Sequence, residues 1–135
     1  MNENKIKHLE FIQNVITRMN SNSFLIKGWG LTLVSALFAL ASASKNLDFV
    51  FITGIVLVVF WILDGFFISI ERKYRDLYNH VRVKKDNEID FSMKTSDHDN
   101  YKNSWRGGIL SKTLIPYYGI AISTSIIVFS IIKCN

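Results

Sequence analysis

Three long stretches of the sequence are almost free of charge, and they constrain the fold more than any other feature. Residues 24–44 contain one charged residue, Lys27, and residues 49–70 contain one, Asp64. Residues 114–132 contain none. Each stretch has about the 20 residues that a helix needs to cross a hydrocarbon core of roughly 30 Å. The run "GIVLVVFWIL" does not alternate as a transmembrane β-strand would. We therefore predict an all-α integral membrane protein.

A soluble helical bundle and a cleaved signal peptide both fit these stretches less well than membrane spans do. A soluble bundle would have too few polar residues left to coat three wholly apolar helices. The segment "LFALASAS" has the pattern of a signal-peptide cleavage site after a hydrophobic run. However, 23 polar and amphipathic residues precede that run, which is far more than a short basic leader. We interpret it as part of the first membrane helix.

The chain is predicted to form a single membrane domain over residues 1–135. Its parts are an amphipathic helix at 4–20, spans at 24–44, 49–70 and 109–132, and a cytoplasmic segment at 71–107. Apolar residues at 3-4-3 spacing predict the amphipathic helix, and "NSNS" at 20–23 is expected to end it. That helix is expected to lie on the inner membrane surface, or else to pack against copies of itself or against the cytoplasmic segment.

The basic residues predict the orientation in the membrane. With the N-terminus inside, 14 of the 16 Lys and Arg residues lie on the inner side, and only Lys45 and Lys133 lie outside. The positive-inside rule therefore favours a cytoplasmic N-terminus and an external C-terminus. Cys134, the single cysteine, would lie at the outer face without an intrachain partner.

The cytoplasmic segment divides by charge into two halves. Residues 72–85 hold six basic residues and one acid, whereas residues 86–99 hold five acids and one base. No Pro or Gly occurs between Phe66 and Lys85, so the basic half is predicted to continue the second span as one helix. The acidic half is predicted to be a loop that folds back onto the basic half.

The basic helix carries the candidate ligand-binding residues. Arg beside exposed Tyr suits a polyanion, because guanidinium groups bind phosphate while a ring stacks on a base. The candidates are Arg72, Arg75, Arg82, Lys85, Tyr74 and Tyr78. Such clusters next to a span also commonly fix topology and contact anionic lipid, and this alternative stays open.

Asp64 is the candidate residue within the membrane. An acid in a span is costly and is usually paired or functional. Lys27 lies at a similar depth in the antiparallel first span, so one hypothesis is a buried Lys27–Asp64 pair. In the other hypothesis, Asp64 faces a path between copies of the chain and forms an acidic ring for cations.

The first span also contains rows of small residues at four-residue spacing. Such rows let helix backbones approach closely within lipid, whether the partner helix belongs to the same chain or to another. They are Gly28, Thr32 and Ala36 in one row, and Ser35, Ala39 and Ala43 in the other.

Enzymatic constellations are nearly absent from the sequence. His98 lies between Asp97 and Asp99, but three adjacent residues cannot converge on a metal. There is no nucleophile beside a base, no Gly-rich phosphate loop and no Cys cluster. We therefore expect neither enzymatic activity nor a cofactor nor a metal.

Three segments carry a family resemblance. They are "HLEFIQNVITRMNSNSFLIKGW" at 8–29, "IDFSMKTS" at 89–96 and "SKTLIPYYG" at 111–119. They resemble the Hailong-type membrane effectors, small bacterial proteins of anti-phage defence that are partnered with a nucleotidyltransferase. The resemblance implies a homo-oligomeric ion channel of the inner membrane, for which four copies is one arrangement. It also implies that a nucleic-acid product of the partner enzyme keeps the channel silent until infection.

The leading hypothesis is therefore an oligomeric channel controlled by a nucleotide or short oligonucleotide at its basic cytoplasmic segment. The alternative is a membrane anchor or scaffold that recruits a soluble partner through residues 71–107 and conducts no ions. A channel would have to be oligomeric, because three spans cannot enclose a water-filled path alone.

Overall fold

A computed structural model describes residues 2–134, and within this range the chain is helical and has no strand. Four helices make up most of it: α1 (Glu3–Ser44), α2 (Asp48–Val83), α3 (Trp105–Ile109) and α4 (Leu114–Cys134). Single 3-10 turns at Asp86–Glu88, Ser96–His98 and Tyr101–Asn103 connect α2 to α3. Helices α1, α2 and α4 are long and apolar enough to cross a membrane. The prediction of an all-helical chain with three candidate spans is confirmed; residues 1 and 135 of the predicted domain lie outside the described residues.

Helix α1 is continuous, so the predicted break at 20–23 is wrong, and the predicted helices at 4–20 and 24–44 are one helix. Asn2, outside the helix, supplies the N-terminal cap by accepting a hydrogen bond from the backbone N–H of Asn4. Ser23 is buried and donates a hydrogen bond to Asp64 of α2 instead of capping a helix. Because Ser and Asn cost only a few tenths of a kcal/mol, up to about 0.7, in a helix interior, this tertiary contact outweighs their local preference.

Helices α1 and α2 form an antiparallel hairpin that is longer than a bilayer is thick. Their 42 and 36 residues give lengths of about 63 and 54 Å at a rise of 1.5 Å per residue. The part of the hairpin beyond the nearly uncharged stretches is the stalk, which we define as residues 3–20 of α1, 71–83 of α2 and the loop at 84–100. The predicted continuation of the second span as one helix is confirmed, to Val83.

An apolar cluster holds the stalk together. Leu9, Ile12 and Ile16 of α1 pack with Leu77 and Val81 of α2 and with Ile89 of the loop. The amphipathic part of α1 thus packs on the extramembrane segment, which was the second of the two expected arrangements, and does not lie apart from it as a surface helix would.

Short helix α3 lies against α2 and reverses the chain into the last span. We call residues 101–113 the elbow. Trp61 Nε1 donates a hydrogen bond to the Ile109 carbonyl oxygen at 2.9 Å, and Trp105 Nε1 donates one to the Ile62 carbonyl oxygen at 3.1 Å. The last span begins at Leu114, not at 109 as predicted, because Trp105–Ile109 form this separate turn.

Two glycines allow the elbow to approach α2 closely. A Cβ atom at Gly65 would lie 2.8 and 2.9 Å from the backbone N and Cα of Ile109, and one at Gly108 would collide with the Gly65 carbonyl oxygen. Beyond the elbow, α4 returns along the hairpin and buries Leu114 and Tyr118. Because α1, α2 and α4 run antiparallel in turn, the α1–α2 turn and the end of α4 lie at the same end of the bundle.

The contact between Gly65 and the elbow predicts a large effect of one methyl group. Gly65→Ala should lower the free energy of unfolding by about 1–3 kcal/mol, since the backbone of α3 must move to admit it. Gly54→Ala is the matched control in the same helix, because its added Cβ has no atom within 4 Å. Thermal unfolding of the purified proteins in detergent checks this; equal stability of the two variants would mean that α3 does not dock here.

The three crossings and the positive-inside rule together predict that Cys134 is external. A membrane-impermeant maleimide should label this exposed thiol on intact spheroplasts. In a Cys134→Ser background, Asn87→Cys places the thiol on the stalk, and labelling should then require permeabilised cells. Labelling in the reverse pattern would contradict the predicted orientation.

Candidate functional site

A cluster of polar side chains surrounds Asp64 inside the helical bundle. The Asp64 side chain is fully buried, and Lys27 Nζ lies 2.6 Å from its Oδ2 atom. Ser23 donates a hydrogen bond to Oδ1, and the Tyr118 hydroxyl donates one to Oδ2 at 3.3 Å. We call Ser23, Lys27, Asp64 and Tyr118 the Asp64 cluster; all three candidate spans contribute to it.

Helical spacing brings the two α1 residues of the cluster together. Ser23 and Lys27 are one turn apart on the face of α1 that packs on α2, and Lys27 Nζ also donates a hydrogen bond to Ser23 Oγ at 2.8 Å. On the α4 side, the Tyr117 hydroxyl donates a hydrogen bond to the Lys27 carbonyl oxygen at 2.9 Å. The ring of Trp61 stacks on Tyr118 with 5.6 Å between ring centres, which fixes the position of the phenol.

The cluster neutralises a charge that the bilayer would otherwise exclude. An unpaired carboxylate in an apolar interior costs several kcal/mol, and a cation together with two hydroxyl donors offsets this. Of the two hypotheses for Asp64, the structure contains the pair with Lys27 inside one chain. In this conformation Asp64 has no exposed surface, so lining a path between copies would require it to leave Lys27.

Sequence reasoning finds Asp64 and Lys27 but misses their hydroxyl partners. The local pattern at 20–23 indicates a helix cap at Ser23, and it assigns no role to Tyr117 or Tyr118. The usable signal was the four-residue spacing of Ser23 and Lys27, which places both side chains on one face of a continuous helix.

The predicted ligand-binding residues of α2 do not form one free patch. Arg72 Nη1 donates hydrogen bonds to the carbonyl oxygens of Lys102 and Gly107 at 2.8 and 3.0 Å, which ties it to the elbow. Arg75 forms an ion pair with Glu71. Tyr74 and Tyr78 are half-buried against the apolar cluster of the stalk. Three of the six are exposed: Arg75, Arg82 at the end of α2, and Lys85 just beyond it.

The acidic half of the segment folds back onto the basic half, as predicted. Lys73 Nζ of the basic half lies 2.5 Å from Asp99 Oδ1 of the acidic half. Just after the acidic half, Asn103 Nδ2 donates a hydrogen bond to Asp76 at 2.5 Å. Within residues 2–134, no group of three His, Cys, Asp or Glu side chains is placed to hold a metal ion.

The small-residue rows of the first span face away from the rest of the chain. All six members are exposed, whereas Gly30, Val34 and Ala41 of the same helix are buried. At about 100° of rotation per residue, the two sets lie on opposite sides of α1. The six are Gly28, Thr32, Ser35, Ala36, Ala39 and Ala43. A partner for this face is therefore lipid or another molecule, and not α2 or α4.

The buried pair predicts a strongly coupled double-mutant cycle. Lys27→Met leaves a buried carboxylate without its cation and should lower the free energy of unfolding by about 3–5 kcal/mol. Asp64→Asn keeps an isosteric acceptor for the hydroxyl groups but leaves Lys27 without its anion. We therefore expect a smaller loss of unfolding free energy. The double variant should be more stable than the sum of the single losses predicts, by about 1–3 kcal/mol.

Detergent-solubilised protein and its unfolding midpoint provide the measurement for this cycle. Lys133→Met is the matched control, since Lys133 is exposed at the end of α4 and its loss should change stability by less than about 0.5 kcal/mol. Additive effects of Lys27→Met and Asp64→Asn would show that the two charges do not interact in the folded protein.

Comparison with known proteins does not identify a relative of this chain. A comparison of the chain with protein families, with curated proteins and with solved structures finds no match. Its function is therefore argued from the Asp64 cluster, the exposed small-residue face and the stalk.

Proposed function

We propose that this chain forms a homo-oligomeric ion channel of the bacterial inner membrane, controlled by a nucleotide or short oligonucleotide that binds its stalk. The observation that carries the proposal is the Asp64 cluster, a charged pair held inside a candidate membrane span. Ionisable residues are rare and costly at such positions, and they commonly mark ion pathways. The paired arrangement corresponds to a closed state, and conduction requires Asp64 to exchange Lys27 for water and ions.

The exposed small-residue face of α1 supports the oligomeric part of the proposal. A row of Gly, Ala, Ser and Thr side chains offers lipid little apolar contact but allows another helix to approach closely. Large apolar residues flank the row on the same helix, among them the exposed Trp29, Leu31 and Leu33. Copies of the chain that meet along this face would have their α1 helices nearest to one another.

Continuous helices support control from the stalk. Asp64 and the stalk residues Leu77 and Val81 belong to the same helix, so a displacement of the stalk reaches the membrane without a hinge. The elbow is bound at Arg72 on the stalk side and at Gly65 beside Asp64. A ligand controls such a channel when it binds one conformation more tightly than the other.

The same proposal includes a physiological role. In it, a nucleic-acid product of a partner nucleotidyltransferase silences the channel, and its loss on phage infection lets ions leak and stops growth of the cell. Support comes from the resemblance of residues 8–29 and 111–119 to Hailong-type effectors. These two segments supply every member of the Asp64 cluster except Asp64 itself.

One observation favours the alternative of a membrane anchor. Asp64 is completely buried and neutralised within a single chain, which is how a purely structural ion pair would look. In that case residues 71–107 recruit a soluble partner, and the pair only holds α1 against α2.

Ion flux into liposomes that contain the purified protein separates these functions. Lys27→Met should raise flux in the presence of the silencing oligonucleotide, because Asp64 loses the cation that holds it in the closed arrangement. Asp64→Asn should lower cation flux through the open state. A short oligonucleotide should change wild-type flux by about fivefold or more.

Lys133→Met serves as the control for flux as well, because it removes a lysine outside the Asp64 cluster. The double variant Lys27→Met with Asp64→Asn is a control for folding, since it leaves neither charge buried without its partner. Absence of flux in the wild type and in the folded variants would overturn the channel and leave the anchor as the function.

A further inference from the structure

A groove runs along the stalk, outside both the Asp64 cluster and the basic face of α2. It lies between α1 and the loop residues Phe91 and Met93, and its volume is about 770 Å³. We call it the α1 groove. Its size is within the range of about 300–1,000 Å³ that is typical of small-ligand sites.

The groove follows from the helical repeat of α1. Lys7, Phe11, Asn14 and Arg18 recur at three- and four-residue steps and line it. They lie beside the stripe of Leu9, Ile12 and Ile16 that packs on α2. The loop forms the other wall. Phe91 adopts a positive φ of 55°, which is uncommon for a bulky residue.

His8 in this groove lacks a hydrogen-bond partner. It is 4% exposed, and its Nε2 atom is buried without a partner among the described residues. Its ring makes an edge-to-face contact with Phe91, with 5.6 Å between ring centres. An unsatisfied buried polar atom is destabilising, so the His8 ring is poorly accommodated in this wall of the groove.

The charges that line the groove are both positive. Lys7 and Arg18 are the only ionic residues among the lining side chains, and no ion pair involves Arg18 in the described chain. Lys7 also pairs with Glu3 at 2.7 Å, but both side chains are exposed, and such pairs are weak and easily exchanged. Eleven residues separate the two cations, which is about 16 Å along the helix. They suit an extended ligand with two separated anionic groups.

Apolar rings occupy the space between these cations. Phe11 is 63% exposed and Phe91 is 46% exposed, although both are large apolar side chains. By contrast, Tyr74 and Tyr78 on α2 are packed against the apolar cluster of the stalk. The α1 groove therefore combines exposed aromatic side chains with two cations, whereas the aromatic side chains beside the cations of α2 are packed into the stalk.

We propose that the α1 groove is the binding site for a short single-stranded oligonucleotide. Lys7 and Arg18 bind separate phosphates, and bases stack on Phe11 and Phe91. The proposal rests on the proposed function for its ligand class, and it places the site on α1 instead of the predicted residues of α2. The proposal does not place an anionic lipid there, since Phe11 lies 13 residues, or about 20 Å, before residue 24, where the predicted first span begins.

The position of the groove supplies a route to the membrane. Arg18 precedes Ser23 by five residues of the same unbroken helix, and Ser23 and Lys27 both contact Asp64. A ligand that draws α1 toward the loop at 91–93 thus acts on the helix that carries the cation of the cluster.

Fluorescence anisotropy of a labelled strand of about six nucleotides tests the site, with the full-length protein in nanodiscs of neutral lipid. Phe11→Ala and Arg18→Gln should each weaken binding by about tenfold, which is the size of one stacking or phosphate contact. Arg18→Gln should also reduce the slope of log affinity against log salt by about 0.7, the value for one phosphate contact of a single strand.

Exposed residues outside the groove provide matched controls. Tyr101→Ala removes an aromatic side chain that is 71% exposed, and Arg82→Gln removes an exposed arginine of α2; both should leave affinity within about twofold. All four side chains are exposed, so the variants should fold, and circular dichroism checks this. Failure of the wild type to bind the strand, equal affinity of the groove variants, or selective loss in Arg82→Gln would each overturn the proposal.

The flux assay keeps the two proposals distinguishable. Loss of binding in Phe11→Ala and Arg18→Gln in a protein that passes no ions would uphold the groove and reject the channel. Flux that responds to the strand equally in wild type and in both groove variants would uphold the channel and reject the groove. Displacement of the strand by anionic vesicles but not by unlabelled strand would overturn the groove in favour of a lipid site.

Discussion

The ion pair between Lys27 and Asp64 is the constraint on which the rest of the membrane part depends. A carboxylate without exposed surface needs a cation and hydrogen-bond donors from its neighbours. Lys27 and Ser23 from α1 and Tyr118 from α4 meet this need, so a single side chain of α2 fixes the rotation and depth of both other long helices. Apolar packing alone would specify these less sharply, because lipid chains compete equally well for apolar side chains.

Close backbone contact at Gly65 connects this pair to the extramembrane part. The residue that follows Asp64 is the point where the elbow touches α2, and Arg72, two turns further on, binds two elbow carbonyl oxygens. The position of the start of α4 is therefore set by the same stretch of α2 that carries Asp64. Movement of the elbow would change the placement of Tyr118, and with it one of the donors to Asp64.

Regular periodicity made part of this structure predictable. The three candidate spans, the extension of α2 and the fold-back of the acidic half follow from hydropathy and charge along the chain. The continuity of α1 could not be predicted in this way. The local pattern indicates a helix cap at Ser23, whereas the hydrogen-bond partner of Ser23 lies 41 residues away. The elbow was also missed: "RGGI" suggests a break in the chain, whereas Gly108 is required by contact with Gly65. Of the Asp64 cluster, the two charged residues could be predicted, because a charge stands out in an apolar span. The two hydroxyl donors could not, because Ser and Tyr are common in spans.

Control of such a pair by a ligand on the stalk depends on how the copies act together. Moving an equilibrium from 1:99 to 99:1 requires a preference of about 10⁴-fold, or about 5.5 kcal/mol. One exposed groove on one chain supplies only a part of this. If four copies open together, however, a preference of about tenfold at each groove multiplies to the required factor. In the proposed oligomer, modest contacts at Phe11 and Arg18 of each copy would therefore add up to control of the buried pair. Under the two proposals, the small-residue face and the α1 groove would be coupled, because both belong to the helix that carries Lys27.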